Sequence, residues 1–252
     1  MKKIILITGV TSGFGKAIAK KFAQSGDDLI ITGRRKDRLE NIAEEIINKF
    51  NVKALPVCFD VRKREECEKA IQSLPEEWKK IDVLVNNAGL AVGLNPIHEG
   101  VIDDWERMID TNVKGLLYMT RLVAPLMVEQ GHGHIINIGS IAGREVYPHG
   151  NAYCGSKFAV NAISKGMRID LLPYNIKVTE ILPGAAETEF SIVRFKGDQE
   201  RADSVYKGFK PLSAEDVADV VFYVTSLPPH VNINELVLMP TSQASSMHFH
   251  KK

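Results

Sequence analysis

The 252-residue sequence predicts an α/β fold: a doubly wound parallel sheet of about seven strands with helices on both faces. Three observations predict it. Short apolar runs recur along the chain, most are nearly continuous in Ile, Leu and Val, and an amphipathic stretch separates each from the next. Strands covered on both faces lose the polar–apolar alternation of a half-exposed sheet. Helical crossovers, right-handed in such sheets, join parallel strands.

The strands are expected at 3–8, 28–32, 53–59, 82–88, 134–139, 177–182 and 235–240. The first follows two lysines and holds only four apolar residues, Ile4 to Ile7, before a Thr-Gly turn. That is too short for a signal-peptide core or a membrane span. Helices are expected between them. The stretch 15–26 puts Ile18 and Phe22 on one face and ends at Gly26; 35–50 does the same with Leu39, Ile42, Ile46 and Phe50. Others are expected at 64–74, 104–130, 151–172 and 213–227. No linker or repeat divides the chain, so residues 1–252 read as one domain. A net charge of +1 gives no footprint for nucleic acid or membrane. Three cysteines without metal spacing read as reduced thiols of a cytoplasmic protein, and no metal is expected.

The loop "TGVTSGFG" (8–15) joins the first strand to the first helix. Its glycines let the backbone approach a pyrophosphate, and the helix N-terminus offers free N–H groups. Gly9, Thr11, Ser12, Gly13, Phe14 and Gly15 are the expected cofactor-binding residues here. The second strand ends "TGRR". An acidic residue at that tip suits the ribose hydroxyl of NAD; Arg34 and Arg35 suit the 2′-phosphate of NADP(H).

Tyr153 and Lys157 lie four residues apart, so a helix carries both on one face. A nearby ammonium lowers the phenol's pKa, and a tuned tyrosine can exchange a proton with a substrate oxygen. Ser140, at the carboxyl edge of the fifth strand, can hold the same oxygen.

With TGVTSGFG, these pieces are joined by DV (60–61), NNAG (86–89), Asn112 in DTNVKG and PGAAET (183–188). In this order the chain resembles the short-chain dehydrogenase/reductase family, whose fold is a single Rossmann-type domain. The resemblance implies a tetrad of Asn112, Ser140, Tyr153 and Lys157, with Asn112 anchoring a water through its main chain. It implies that Asp60 meets the adenine amino group with Val61 beside the ring. Asn87 would line the cofactor, and Pro183, Gly184 and Thr188 would embrace the nicotinamide.

Residues 185–210 read as a substrate lid with hinges at Gly197 and Gly208. A substrate carboxylate needs a cation, and Arg194 is the candidate, with Arg144 or Lys196 as substitutes. "TEFSIVRFKGD" and "SLPPHVNINELVLMPTSQ" are similar to the NADP-dependent 3-hydroxy acid dehydrogenases. That likeness implies small 3-hydroxy acids (L-serine, L-allo-threonine, the 3-hydroxyisobutyrate class) or matching 3-oxo acids and semialdehydes such as malonic semialdehyde. It also implies a homotetramer. The C-terminal tail, 241–252, is expected to reach a neighbouring subunit. Two alternatives stay open: an enzyme of the same fold acting on another alcohol or ketone, and a non-catalytic NADP-binding sensor.

Overall fold

The computed structural model describes residues 2–252. Its strands are β1 (Ile4–Ile7), β2 (Asp28–Gly33), β3 (Ala54–Cys58), β4 (Val83–Asn86), β5 (Gly133–Ile138), β6 (Ile176–Pro183) and β7 (Glu235–Leu238). They form one sheet in the order β3-β2-β1-β4-β5-β6-β7, and every pairing is parallel. Ile5 of β1 sits opposite Leu29 on one side and Val83 on the other. The order reverses between β1 and β4, so a crevice opens beyond the carboxyl ends of these strands.

The α-helices are α1 (Gly13–Gln24), α2 (Lys36–Phe50), α3 (Arg64–Gln72), α4 (Ile102–Ile109), α5 (Leu116–Gln130), α6 (Asn151–Leu171), α7 (Glu189–Arg194), α8 (Gln199–Ser204) and α9 (Ala214–Ser226). The pleat of β1 divides the core in two. Ile5 and Ile7 join Ile18, Phe22, Ile42 and Val221 from α1, α2 and α9. Leu6 joins Val123, Met127 and Val160 from α5 and α6, with Ile71 from α3. All are buried, so the sheet is apolar on both faces, as its near-continuous Ile/Leu/Val runs require. None of the described helices is long and apolar enough to cross a membrane. No group of three metal-ligating side chains occurs among the described residues.

One expectation is corrected. The continuous helix over 104–130 is interrupted by a π-helical turn, Asp110–Gly115, between α4 and α5. The cause is Asn112. Its side chain receives the Leu90 N–H at 2.8 Å and donates to the Leu90 carbonyl at 2.9 Å, and the wider turn accommodates this inward bridge. The C-terminal tail packs on the chain's own residues 185–210. The Ala185 N–H donates to the Gln243 side-chain oxygen at 2.7 Å, the Lys252 N–H donates to the Gly208 carbonyl at 2.9 Å, and Phe249 packs on Phe209. An exposed phenylalanine gains by covering itself, and this one finds its partner within 185–210. Inside that segment, α7 and α8 are separated by Lys196 and Gly197, both at positive φ.

Candidate active site

A cleft of about 880 Å³ occupies the crevice, within the size range of small-molecule sites. One end is the turn from β1 into α1. Gly9 (φ 72°) and Gly13 (φ 52°) adopt the left-handed conformation that bends the chain there. Ser12 caps α1 without a side-chain hydrogen bond, so no side chain claims the first-turn N–H groups. Gly9, Thr11, Ser12, Gly13 and Phe14 line the cleft. Gly15 does not: it backs the loop, where a Cβ would lie 2.4 Å from the Gly9 carbonyl oxygen. Asn87 lines the cleft and ties the loop to β4, donating to the Thr8 and Gly9 carbonyls at 2.7 and 3.1 Å.

Arg34 and Arg35 stand at the tip of β2, both exposed. Arg35 donates to the Thr11 and Ser12 hydroxyls at 2.9 and 3.0 Å and pairs with Glu189 of α7 at 3.2 Å. Arg38 pairs with the same carboxylate at 3.1 Å. Asp60 and Val61 line the cleft beside them. Both Asp60 oxygens are already taken by Arg62, at 2.5 to 3.0 Å. Burial alone would raise the Asp60 carboxyl, but the Arg62 hydrogen bonds and the Arg34 charge outweigh it and hold the group below the usual carboxylate value.

At the other end, α6 carries Tyr153 and Lys157 one turn apart, and both face the cleft with Ser140. Ser140 Oγ accepts the Ala142 N–H at 3.1 Å, which leaves its O–H free to donate. Tyr153 is nearly buried among Leu90, Val92, Met108 and Ala142, with Phe190 edge-on at 5.7 Å. Burial pushes its phenol up; the Ser140 hydroxyl and the Arg194 charge pull the other way. The Lys157 Nζ lies 6.0 Å from the Tyr153 ring centre and donates to the Ile138 carbonyl at 2.9 Å. Burial lowers this lysine to about 8, opposed by the negative charge of Glu180. Asn112 does not line the cleft; beyond Leu90, its side chain donates to Ser156 Oγ at 2.9 Å.

Pro183, Gly184 and Thr188 form the far wall, and the Thr188 hydroxyl caps α7 by accepting the Phe190 N–H at 3.2 Å. That cap aims α7 so that Arg194, at its last turn, returns over the cleft. The Arg194 guanidinium lies 5.8 Å from the Tyr153 ring centre, and its Nη2 donates to the Tyr147 hydroxyl at 2.9 Å. Its Nε is buried without a partner. The two substitute cations are engaged elsewhere: Arg144 with Glu235, and Lys196 with Asp104 at 2.7 Å.

Sequence reasoning missed several lining residues: Arg62, Tyr147, Phe190, Gln243 and Phe249. Tyr147 had a signal, an aromatic between Ser140 and Tyr153 in the loop "REVYPHG". The tail residues had none, since only the fold brings them to the cleft.

The sequence pattern of the family described as short chain dehydrogenase matches residues 3–199. The chain belongs to that family. Among relatives of this dehydrogenase, the NADP-dependent 3-hydroxy acid dehydrogenase YdfG of Escherichia coli (strain K12) is 49% identical over 242 residues, 96% of each chain. Sulfoacetaldehyde reductase 2 of Chromohalobacter salexigens is 46% identical over 98% of this chain and 97% of its own. The closed form of a serine dehydrogenase complexed with NADP+ superposes with a TM-score of 0.92 at 47% identity, covering 99% of this chain and 100% of that one.

Proposed function

We propose that this dehydrogenase uses NADP(H) to move a hydride reversibly at the 3-hydroxyl of small 3-hydroxy acids, or to reduce the matching 3-oxo acids and semialdehydes. The observation that carries the reading is a cation poised over the acid–base group: Arg194 beside Tyr153, with its Nε buried and unpartnered. A substrate carboxylate pairs with this guanidinium while its hydroxyl carbon lies near the tyrosine.

The cofactor fits the chain. Uncapped N–H groups of α1 suit the pyrophosphate, Arg34 and Arg35 suit a 2′-phosphate, and the cleft runs from them to Tyr153. Bound there, NADP(H) supplies the hydride donor or acceptor. The chain does the rest. Ser140 donates a hydrogen bond to the substrate oxygen. Tyr153 gives that oxygen a proton in reduction and takes it back in oxidation. Lys157 holds positive charge beneath the cleft and favours the phenolate. Asn112 fixes the π turn whose main chain leads toward Lys157. The relatives above agree with the cofactor and with small acidic substrates. We place the protein in the cytoplasm as one domain, with residues 185–210 as its lid. The implied homotetramer would use the exposed apolar side chains Ile109, Leu117 and Phe158.

The test is a panel read by absorbance of the reduced cofactor. It holds L-serine, L-allo-threonine, 3-hydroxyisobutyrate, malonic semialdehyde, sulfoacetaldehyde and neutral alcohols of similar size. The acids should exceed the neutral compounds in kcat/KM, and Tyr153→Phe should lower kcat by about 10²- to 10⁴-fold while NADPH still binds. Equal turnover of neutral compounds overturns the substrate class; near-normal turnover by Tyr153→Phe overturns the mechanism.

A further inference from the structure

Behind Lys157, away from the cleft, lies a carboxylate that the proposed chemistry does not use. Glu180 on β6 is fully buried. Its Oε2 accepts from the Asn161 side chain at 2.7 Å, and Asn161 lies one helical turn beyond Lys157 on α6. Its Oε1 has no hydrogen-bond partner. That oxygen lies under Gly139, where a Cβ would be 2.4 Å away, so only glycine can precede Ser140 while this carboxylate stays in place. Glu180 therefore sits among the tetrad's supports: below Gly139 and on the strand paired with β5, whose Ile138 carbonyl holds Lys157.

The charges around it sort into two groups. Glu235 on β7 engages Arg144, Arg168 at 3.6 Å and Lys165 at 3.9 Å. Asn161 is neutral and also donates to Glu235 at 3.3 Å. Lys157 has a single hydrogen bond, to a neutral carbonyl. Arg144 and Arg168 also lend Glu180 positive charge, but Glu180 is the one carboxylate that acts on Lys157 among the described residues, and an isolated buried ammonium is costly. We propose that Glu180 is the positioning residue for Lys157, a buried counter-charge that keeps the ammonium form of the lysine at the floor of the cleft. The direction of the lysine's titration agrees, since the Glu180 charge opposes the effect of burial on it. Burial raises the Glu180 carboxyl; the Asn161 hydrogen bond and the charges of Lys157, Arg144 and Arg168 oppose that rise.

The inference rests on the proposed role of Lys157. Its test is the pH dependence of kcat for wild type, Glu180→Gln and Glu180→Asp, on the panel substrate with the highest kcat/KM. Activity that needs the ammonium is lost as pH rises through the lysine's pKa. Glu180→Gln keeps the shape and removes the charge, so this alkaline limb should move down by about one pH unit, leaving about a tenth of the kcat there, with KM nearly unchanged. Glu180→Asp keeps the charge and should keep the limb. An unmoved limb in Glu180→Gln, or equal shifts in both variants, overturns the proposal.

Should Glu180→Gln fold poorly, stability answers instead. Lys157→Met/Glu180→Gln removes both charges together and should melt above Glu180→Gln alone; simple additivity of the two losses overturns the pairing. Failure of the reading for Lys157 shows separately, as a Lys157→Met enzyme that still turns over.

Discussion

In the proposed reaction, Arg194 connects the acid–base tyrosine to substrate choice. Its Nη2 is held by Tyr147, its face lies over two aromatic rings, and its Nε has no hydrogen-bond partner among the described residues. A hydrogen bond to a charged group contributes about 1.5–3 kcal/mol. Arg194→Ala should therefore raise KM for 3-hydroxy acids roughly 10- to 100-fold and leave neutral alcohols within a few-fold. Steady-state kinetics on both classes checks this, and equal losses would remove the clamp. Single residues were legible in the sequence where their partner is local. Tyr153 and Lys157 announce themselves because a helix fixes four-residue neighbours on one face. Arg62 and Glu180 did not. Arg62 is close in sequence to Asp60, but nothing in "DVRK" says that its guanidinium turns back onto that carboxylate. Glu180 reads as a polar interruption of an apolar strand until α6 is laid over it.

At the scale of elements, the proposed choice of cofactor lies in the turn from β2 into α2. Arg34 contacts Asp60 at 3.7 Å, and Arg35 spans the Thr11 and Ser12 hydroxyls and reaches Glu189. The Arg35 contacts are exposed and weak, and Arg34 meets Asp60 only at 3.7 Å, so a phosphate that offers several acceptor oxygens competes well for both arginines. Replacing Arg34 and Arg35 by Ala should raise KM for NADP by at least about tenfold and change KM for NAD little. Comparing the two cofactors at saturating substrate measures it, and equal losses would refute the 2′-phosphate assignment. The turn was readable because the motif and the strand end stand next to each other in the chain. The break in the helix over 104–130 was not, because the apolar period continues through it. The Leu90 backbone, 22 residues away, and the Ser156 hydroxyl on α6 make Asn112 turn inward. The short helix α7 was hidden for a related reason: its apolar side chains Phe190 and Val193 line the cleft rather than pack on the sheet.

Across the whole molecule, strand number and parallel direction follow from apolar runs separated by helices. Strand order and the folded-back tail depend on contacts between distant segments. The same is true of His134, which the composition counts as one of seven histidines and the fold makes exceptional. It lies on β5 inside the sheet, with Nε2 2.8 Å from the Thr179 hydroxyl and Nδ1 unpartnered. Burial, aided by the charges of Lys177 and Lys3, lowers it from 6.5 to about 3. An unfolded chain takes up this proton near the ordinary value; the folded chain refuses it until about 3. The unfolded state therefore binds more protons throughout that window, and stability falls as pH falls from 6.5 toward 3 and is fully present above 6.5. One such group removes about 1.4 kcal/mol per pH unit, or about 2 kcal/mol between neutrality and pH 5. His134→Gln, which can still reach Thr179, should lose about 2 kcal/mol less than wild type over that interval in urea unfolding at pH 7 and pH 5. Parallel losses in the two proteins would assign the acid sensitivity to the carboxylates instead.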